Sequence, residues 1–474
     1  MTDPGIHSRA TVTYLPDLLY VDGRFASGIG LACDAAGRIV SLTRAADITG
    51  EIIRLQRRAV LPGMVNAHSH AFQRLLRGRT EYRTSRHDTF WTWREMMYSA
   101  ATRLTPDDVR DVARMAFVEM ALSGITAVGE FHYLHRTVDG KPYDDPNLLA
   151  KAVISAANEV GIRIALLRVA YARAGYQIEP NQRQLRFIES DAETYIRNTD
   201  ALRNAVDGWD TDTTWVGIAP HSVRAVPLDY LRRVAAYAAS VGRIPFHMHV
   251  AEQPAEVKSC IEEHGRSPVE FLNHEGILSE HFTGVHAIHI SQAEARFLAN
   301  ARATVCACPT TERNLGDGIV PANLLFNSQI PVALGTDSQI QIDLLEDARE
   351  LEYHLRLKEL ERTVLAPSVD GQQTALATRL FDCATINGAR SIGAASGKLV
   401  PGSPADFFTV DLDDPSIAGA TVADLISLIV FGLSRTAVKD VFVGAQRIVS
   451  EGRHAEQEEI VTRFASLQKQ LWAV

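Results

Sequence analysis

Two histidines separated by one residue, His68 and His70, are the first side chains along the sequence that could bind a metal ion. They follow an apolar run that begins at Leu61. On an extended strand, residues i and i+2 point to the same face, so both imidazoles are expected to meet at one point. Neutral imidazole is the commonest protein ligand for zinc and similar ions. On this pair alone, a metal site and a solvated strand are equally good interpretations.

Four later apolar runs end in side chains that could share such a site. The runs end at His221, at His249, at His286 and at Asp337, and Glu252 lies three residues beyond His249. A parallel barrel gathers the carboxyl ends of its strands on one rim, where active sites are built. The repeated pattern, more than any single motif, predicts a metal-dependent active site.

Strand-like and helical patterns alternate along the middle of the chain, which predicts an α/β fold with a (β/α)8 TIM-like barrel. Eight strands are predicted, at residues 60–66, 125–128, 163–170, 215–219, 244–250, 282–288, 304–307 and 331–334. Helices are predicted between them, at residues 105–123, 147–160, 182–203, 227–240, 292–300 and 344–357. The helix at 182–203, between strands three and four, is predicted to be long.

Both ends of the chain have a different pattern, of short apolar runs broken by glycine and aspartate, which is typical of hairpins. Such runs fill residues 11–60 and return after residue 397. We therefore expect a small β-sandwich domain built from both termini. Residues 1–60 and 396–474 would form it, the latter with a terminal helix, and residues 61–395 would form the barrel.

Composition limits the class of protein. The 474 residues are 46% hydrophobic and 22% charged, which is ordinary for a globular protein. The net charge of −9 argues against nucleic acid or an anionic membrane as a partner. The start lacks a leader pattern and no apolar run would span a bilayer, so a cytoplasmic protein is expected. Of the five cysteines, Cys306 and Cys308 are expected to be a reduced buried pair and not a thiolate metal site.

The histidines and Asp337 resemble the metal-binding pattern of the amidohydrolase superfamily. Within it, six stretches are similar to the formimidoylglutamate deiminases of histidine degradation: His-Ser-His-Ala-Phe-Gln-Arg at 68–74, Phe-Trp-Thr-Trp-Arg-Glu at 90–95, and residues 130–133, 220–226, 249–253 and 314–318. The resemblance covers nearly the whole chain. Two positions near strand ends depart from the family pattern: Gln339 stands where a histidine is frequent, and the stretch around Arg173 replaces a more usual Ser-His pair.

The resemblance implies a metal site made by His68, His70, His249 and Asp337, with a position left open for water. Relatives with two metals carry a bridging lysine at the end of strand four, where this chain has His221. One divalent ion, zinc, is therefore expected.

The resemblance also implies catalytic roles. Glu252 is expected to act as general acid and base, since it follows the metal-binding His249. His286 is expected to orient the attacking water, and Asp337 to accept a proton from it. His247 and His289 are interpreted as structural.

The implied substrate is N-formimino-L-glutamate, which would be hydrolysed to N-formyl-L-glutamate and ammonia. Its two carboxylates call for arginine, whose planar guanidinium pairs with a carboxylate through two hydrogen bonds. Arg94 and Arg224 are the candidates, and the resemblance adds Gln73, Tyr133 and His221 to the binding pocket. It also implies a homodimer.

Two other functions fit part of this pattern. An aminohydrolase of a heteroaromatic ring, such as a purine, pterin or triazine, uses the same ligand set but needs no pair of arginines. A catalytically silent scaffold protein on the same barrel would usually have lost ligands that this chain retains. Trp91 and Trp93 are expected to pack their loop and not to contact the substrate.

Overall fold

The computed structural model describes residues 12–82, 86, 88–209, 212–367 and 373–472. The strands are β1 (Val12–Val21), β2 (Arg24–Ala26), β3 (Ile29–Cys33), β4 (Ile39–Arg44), β5 (Glu51–Pro62), β6 (Met64–Ser69), β7 (Ile125–His132), β8 (Arg163–Ala170), β9 (Thr214–Pro220), β10 (Phe246–Val250), β11 (Phe282–His286), β12 (Thr304–Ala307), β13 (Val332–Leu334), β14 (Phe407–Asp411), β15 (Val438–Val443), β16 (Gln446–Ser450) and β17 (Arg453–His454).

The α-helices are α1 (Phe90–Ala101), α2 (Pro106–Leu122), α3 (Leu148–Val160), α4 (Ala192–Asp207), α5 (Leu228–Val241), α6 (Pro254–His264), α7 (Pro268–His274), α8 (Gln292–Asn300), α9 (Pro309–Leu315), α10 (Ala322–Asn327), α11 (Leu344–Glu359), α12 (Ala375–Ala384), α13 (Ile386–Ile392), α14 (Leu425–Gly432) and α15 (Gln457–Trp472). Short 3-10 helices occupy Ala45–Asp47, Ala71–Leu76, Gln182–Arg186, Pro415–Ile417 and Arg435–Ala437.

Strands β6 to β13 form one parallel eight-stranded sheet in sequence order, which confirms the predicted barrel. All residues of β7 and β8 are buried, as expected for parallel strands covered on both faces. The first predicted strand, at 60–66, was placed too early along the chain. Residues as far as Pro62 belong to β5 in the other sheet, and the barrel strand begins at Met64.

The barrel closes where β6 meets the residues that follow β13. The backbone N–H of His70 donates to the carbonyl of Asp337 at 3.0 Å, and the N–H of Asp337 donates to the carbonyl of His68 at 3.0 Å. Gly335 permits this approach, because a Cβ at that position would lie 2.7 Å from the Cβ of His68. The closure therefore brings both N-terminal histidines and Asp337 to one point on the rim.

Strands from both ends of the chain share a second, mixed sheet of nine strands, as the sequence predicted. Within it, β5 pairs in parallel with β1 and antiparallel with β14. A separate core lies against this sheet, in which the rings of Phe407 and Phe442 stack at 4.3 Å. The edge of Tyr14 packs against both rings.

The long helix predicted at 182–203 is wrong. The segment forms the 3-10 helix Gln182–Arg186 and then, after a break, helix α4 (Ala192–Asp207). Two separate N-terminal caps explain the break. Asn181 and Gln184 form a capping box at the first start, and the side chain of Asp191 accepts a hydrogen bond from the backbone of Thr194 at the second.

None of the helices in the described ranges is long and apolar enough to cross a membrane. All five cysteines are buried; Cys306 lies in strand β12 and Cys308 follows directly after it.

Helix α13 packs against barrel strands that include β6 and β13, on either side of the closure. Gly388 of this helix lies so close to β6 that a Cβ there would be 2.4 Å from the carbonyl oxygen of Val65. The glycine is therefore required by packing and not by its helical conformation.

We predict that Gly388→Ala lowers the stability of the protein by about 1–3 kcal/mol, because the added methyl group pushes β6 out of place. The thermal unfolding midpoint measures this effect. The matched control is Gly432→Ala in helix α14, where the nearest heavy atom to the added Cβ is 3.6 Å away. We expect the control to keep or raise the midpoint; equal midpoints for the two variants would contradict the packing argument.

Candidate active site

Three imidazoles and one carboxylate meet on the rim of the barrel. The Nε2 atom of His68 lies 3.1 Å from the Nε2 atoms of both His70 and His249. The Oδ1 atom of Asp337 is 3.5 Å from the first of these histidines and 3.3 Å from the second. One ligand atom from each of the four residues lies within 4.8 Å of the others. The structure thus brings together the four residues predicted to bind the metal.

The second nitrogen of two of these rings determines which tautomer is present. Nδ1 of His70 lies 3.0 Å from the carbonyl oxygen of Phe131, and Nδ1 of His249 lies 3.1 Å from that of His221. A carbonyl oxygen only accepts hydrogen bonds, so each Nδ1 is the protonated nitrogen. Burial lowers the pKa of both rings and keeps them neutral. Each Nε2 therefore offers a free lone pair to the centre of the cluster.

This donor set fits a divalent cation. Burial alone would raise the pKa of Asp337, but hydrogen bonding and attraction from His68 hold it below its usual value, so the carboxylate is ionised. Burial lowers the pKa of His68 to about 3, and its buried Nδ1 has no hydrogen-bond partner within the described ranges. Three neutral imidazoles and one carboxylate are a ligand set typical of catalytic zinc sites.

His286 lies beside this cluster and is surrounded by carboxylates. Its Nδ1 is 3.1 Å from Glu312, and its Nε2 is 3.8 Å from Glu252 and 3.7 Å from Asp337. Burial works against a charged ring, but Glu252 and the other two carboxylates together raise the pKa of His286 well above its usual value. The bond to Glu312, which also accepts the backbone N–H of Cys308 at 2.9 Å, directs Nε2 toward the metal-binding cluster.

A cavity adjoins the cluster, and all five residues predicted to bind substrate line it: Gln73, Arg94, Tyr133, His221 and Arg224. Within this wall, Nε2 of Gln73 donates to the hydroxyl of Tyr133 at 2.9 Å. The Oε1 atom of Gln73 is buried, and no residue that the structure describes forms a hydrogen bond with it. The ring of His221 packs edge-on against Tyr171 at 4.8 Å, and burial lowers its pKa well below the usual value.

Neither of the two cavity arginines forms a salt bridge with a carboxylate among the described residues. The guanidinium of Arg94 stacks on the ring of Trp91 at 4.5 Å, and its buried Nε has no hydrogen-bond partner in the described part of the chain. Arg224 donates from Nη1 to the carbonyl oxygen of Ala174 at 2.6 Å. Two guanidinium groups are thus available to an anion that enters the cavity.

Glu252 and Glu256 form the acidic part of the cavity wall. Burial raises the pKa of both carboxyls, that of Glu256 to about 7. The Oε2 atom of Glu256 accepts the backbone N–H of Glu252 at 3.0 Å, which fixes the start of helix α6. The sequence analysis had not selected Glu256, although a glutamate in the first turn of a helix is a recognised capping signal.

Several other cavity residues differ from the expectations. Trp91 and Trp93, expected only to pack their loop, both line the cavity. Tyr98 and Tyr171 line it as well and were missed. The position of Tyr98, one helical turn beyond Arg94, was the available signal for its place in the wall.

Gln339 and Arg173, the two departures from the family pattern, do not line the cavity. The Nε2 atom of Gln339 donates to Ser69 Oγ at 2.8 Å, and so links the ends of the first and last barrel strands. Arg173 pairs with Glu263 at 2.6 Å and donates from Nε to the carbonyl oxygen of Arg224 at 3.0 Å. Both residues hold neighbouring segments in place.

The two histidines interpreted as structural also lie outside the cavity. Nε2 of His247 is 2.8 Å from the carbonyl oxygen of Ser391 in helix α13, and Nε2 of His289 is 2.9 Å from that of Asp317. In both rings, Nε2 therefore has a backbone partner away from the metal ligands.

Several known proteins are similar to this chain in sequence or in fold. The chain is 36% identical over 410 residues to formimidoylglutamate deiminase of Pseudomonas aeruginosa, covering 86% of this chain and 88% of that protein. It is 28% identical to a 5-methylthioadenosine/S-adenosylhomocysteine deaminase of Natronomonas pharaonis, over 83% of this chain and 81% of the relative. The crystal structure of an amidohydrolase from Brucella melitensis matches with a TM-score of 0.90 and 33% identity, covering 98% of this chain and all of the other.

A family model supports the same assignment. Residues 59–448, which include the whole barrel and strands of the second sheet, match the model of the amidohydrolase family. The matched range contains the four clustered ligands and every cavity residue described above. The chain therefore belongs to the amidohydrolase family and is a hydrolase that acts on carbon–nitrogen bonds.

Proposed function

We propose that this protein is a metal-dependent deiminase that hydrolyses N-formimino-L-glutamate to N-formyl-L-glutamate and ammonia, a reaction of histidine degradation. The observation that carries the proposal is the pair of cavity arginines, Arg94 and Arg224, which lack carboxylate partners among the described residues. Both arginines are half-buried, and the two carboxylates of a glutamate derivative would each pair with one guanidinium group. The 36% identity to the Pseudomonas aeruginosa deiminase supports the same substrate class.

The proposal requires one divalent cation, and the chemistry of the donor set favours zinc. His68, His70, His249 and Asp337 would hold it. When bound, such an ion supplies Lewis acidity that makes water a nucleophile near neutral pH.

Glu252 is the proposed proton carrier. Hydrolysis adds water to the formimino carbon, and both protons of the water must reach the imino nitrogen before it leaves as ammonia. Glu252 lines the cavity, and burial raises its pKa, so the carboxyl can hold a proton and give it up within one turnover. Asp337 is the second carboxylate in the proposal, and it would accept the first proton from the attacking water.

His286 is proposed to steady the charge that develops during attack. Its bond to Glu312 fixes the ring, and Nε2 faces the space between Glu252 and Asp337. A preorganised donor of this kind stabilises the transition state without rearranging.

The main alternative is hydrolysis of an amino group on a heteroaromatic ring, and a relative named as a 5-methylthioadenosine/S-adenosylhomocysteine deaminase shares 28% identity. An uncharged ring would fill the same cavity but leave both guanidinium groups without an anion. The arginines therefore favour an acidic substrate.

The purified protein is expected to contain one divalent ion per chain, by elemental analysis, and to lose ammonia release when a chelator removes it. Added zinc should restore the activity, because the four ligands remain in place. His249→Ala is expected to lose the ion, whereas the control His289→Ala, whose ring contacts Asp317, should keep it. Two ions per chain, or full activity without any, would contradict the proposed site.

Arg94→Ala and Arg224→Ala are each expected to lower kcat/KM for N-formimino-L-glutamate on the order of 100-fold, because one substrate carboxylate loses its charged partner. Ammonia release measures the effect. Arg103→Ala is the matched control, since this arginine contacts the carbonyl of Leu471 outside the cavity. If the first two variants behave like the control while a purine is deaminated, the dicarboxylate substrate is wrong.

Glu252→Gln is expected to lower kcat by about 100-fold to 10,000-fold, because the amide cannot carry a proton. The bound metal and KM should change little, since Glu252 is not one of the four clustered ligands. Stopped-time ammonia assays and elemental analysis together measure these quantities. Glu262→Gln, at an exposed position in helix α6, should have the activity of the unchanged protein. Full activity in Glu252→Gln would exclude it as the proton carrier.

A further inference from the structure

The cavity wall that carries the two arginines also carries two phenols, Tyr98 and Tyr171. Both are at least 98% buried, and their hydroxyl oxygens lie 3.4 Å apart. The ring of Tyr98 lies 5.5 Å from the guanidinium carbon of Arg94, and the hydroxyl of Tyr171 lies 3.5 Å from Nη1 of Arg224. The phenols thus form a continuous link between the two arginines.

Gln184 determines how the phenols are oriented. Its Oε1 accepts the backbone N–H of Asn181 at 3.1 Å, as part of the capping box of the 3-10 helix. The amide nitrogen must therefore face the phenols, where it lies 3.3 Å from the hydroxyl of Tyr98 and 3.2 Å from that of Tyr171. A carboxamide nitrogen has two N–H groups, one for each phenol.

Both phenol oxygens are consequently acceptors, and their own protons are left to donate. The oxygen of Tyr171 faces two donors, Gln184 and Arg224. Among the described residues, the only acceptor within hydrogen-bonding distance of either phenol proton is the oxygen of the other phenol, 3.4 Å away. At least one of the two protons is therefore free for a ligand in the cavity.

The wall consequently offers more donors than acceptors. Arg94 and Arg224 can only donate, and the phenol protons add to them. Burial by itself would raise the pKa of Tyr171, but Arg224, Tyr98 and Arg94 together outweigh it and lower that pKa, which makes the hydroxyl a stronger donor. A surplus of buried donors is satisfied by an anion with several acceptor oxygens.

We propose that Tyr98 and Tyr171, oriented by Gln184, complete a carboxylate-binding subsite together with Arg94 and Arg224. The inference rests on the proposed function, because it names further contacts for the acidic part of the same substrate. The phenols would add directed hydrogen bonds to the charge supplied by the arginines. The subsite would therefore select a carboxylate over other anions of similar charge and over neutral groups.

Glutarate is the probe, since it has two carboxylates and no formimino group to react. We expect Tyr98→Phe and Tyr171→Phe, which lose only a hydroxyl, to weaken glutarate binding to the metal-loaded protein about tenfold or more each. Gln184→Leu should weaken it as well, because the phenols lose their orienting donor. Isothermal titration calorimetry measures the dissociation constants. In ammonia-release assays, the same variants should raise KM and change kcat little.

Tyr195→Phe is the matched control. Its hydroxyl is buried and donates to the carbonyl oxygen of Arg168 at 2.7 Å, away from the cavity. This variant should bind glutarate as the unchanged protein does, which separates loss of a contact from general loss of stability.

These measurements distinguish failure of the proposed subsite from failure of the proposed reaction. Glutarate binding that is weaker in the phenylalanine variants supports the subsite, even where no ammonia is released from N-formimino-L-glutamate. Glutarate binding of equal strength in the unchanged protein and both variants overturns it, even where that reaction proceeds. Failure of the unchanged protein to bind glutarate overturns it too.

Discussion

Everything at the site depends on the backbone pairing that closes the barrel. Two hydrogen bonds, between His70 and Asp337 and between Asp337 and His68, join the first strand to the residues after the last. The same residues provide three of the four clustered ligand atoms, so closure of the sheet and assembly of the metal site are one event. His249 comes from strand β10 across the rim and completes the set. Gly335, Gln339 and helix α13 support the closure from its other sides.

The cavity beside this closure is chemically divided. One part of its wall consists of groups that take up protons or bind cations, namely the clustered imidazoles and the carboxyls of Glu252 and Glu256. The other part consists of donors, the guanidinium groups of Arg94 and Arg224 with the phenols between them. A molecule with an amidine at one end and carboxylates at the other matches this division. The proposed deiminase reaction needs both parts, because it must activate water at one end and hold the substrate by the other.

The sequence was sufficient for the barrel, because buried apolar strands alternate with helical patterns. Its strand ends indicated where a metal-dependent site would lie, and the resemblance to the amidohydrolase superfamily implied the four ligands. The sequence was not sufficient for side chains whose positions depend on an unpredicted helix break or on contacts between distant elements. Gln184 lies in a short 3-10 helix and not in the long helix expected at 182–203, and the Asp191 cap that marks the second helix start was overlooked. Glu312 contacts His286 from a different element, helix α9, so no local pattern pairs them. His286 and Asp337 also adopt left-handed backbone angles, with φ of 71° and 45°, which are uncommon for residues other than glycine and were not predicted.

The most direct test of this account is an anomalous diffraction map, recorded at the zinc absorption edge from crystals of the purified protein. The account predicts one peak per chain, at coordination distance from Nε2 of His68, His70 and His249 and from the carboxylate of Asp337. A peak bound instead by His286 and Cys308, which form the other group of possible ligands around Asp337, would contradict it. So would the absence of a peak between the three imidazoles in crystals of active protein.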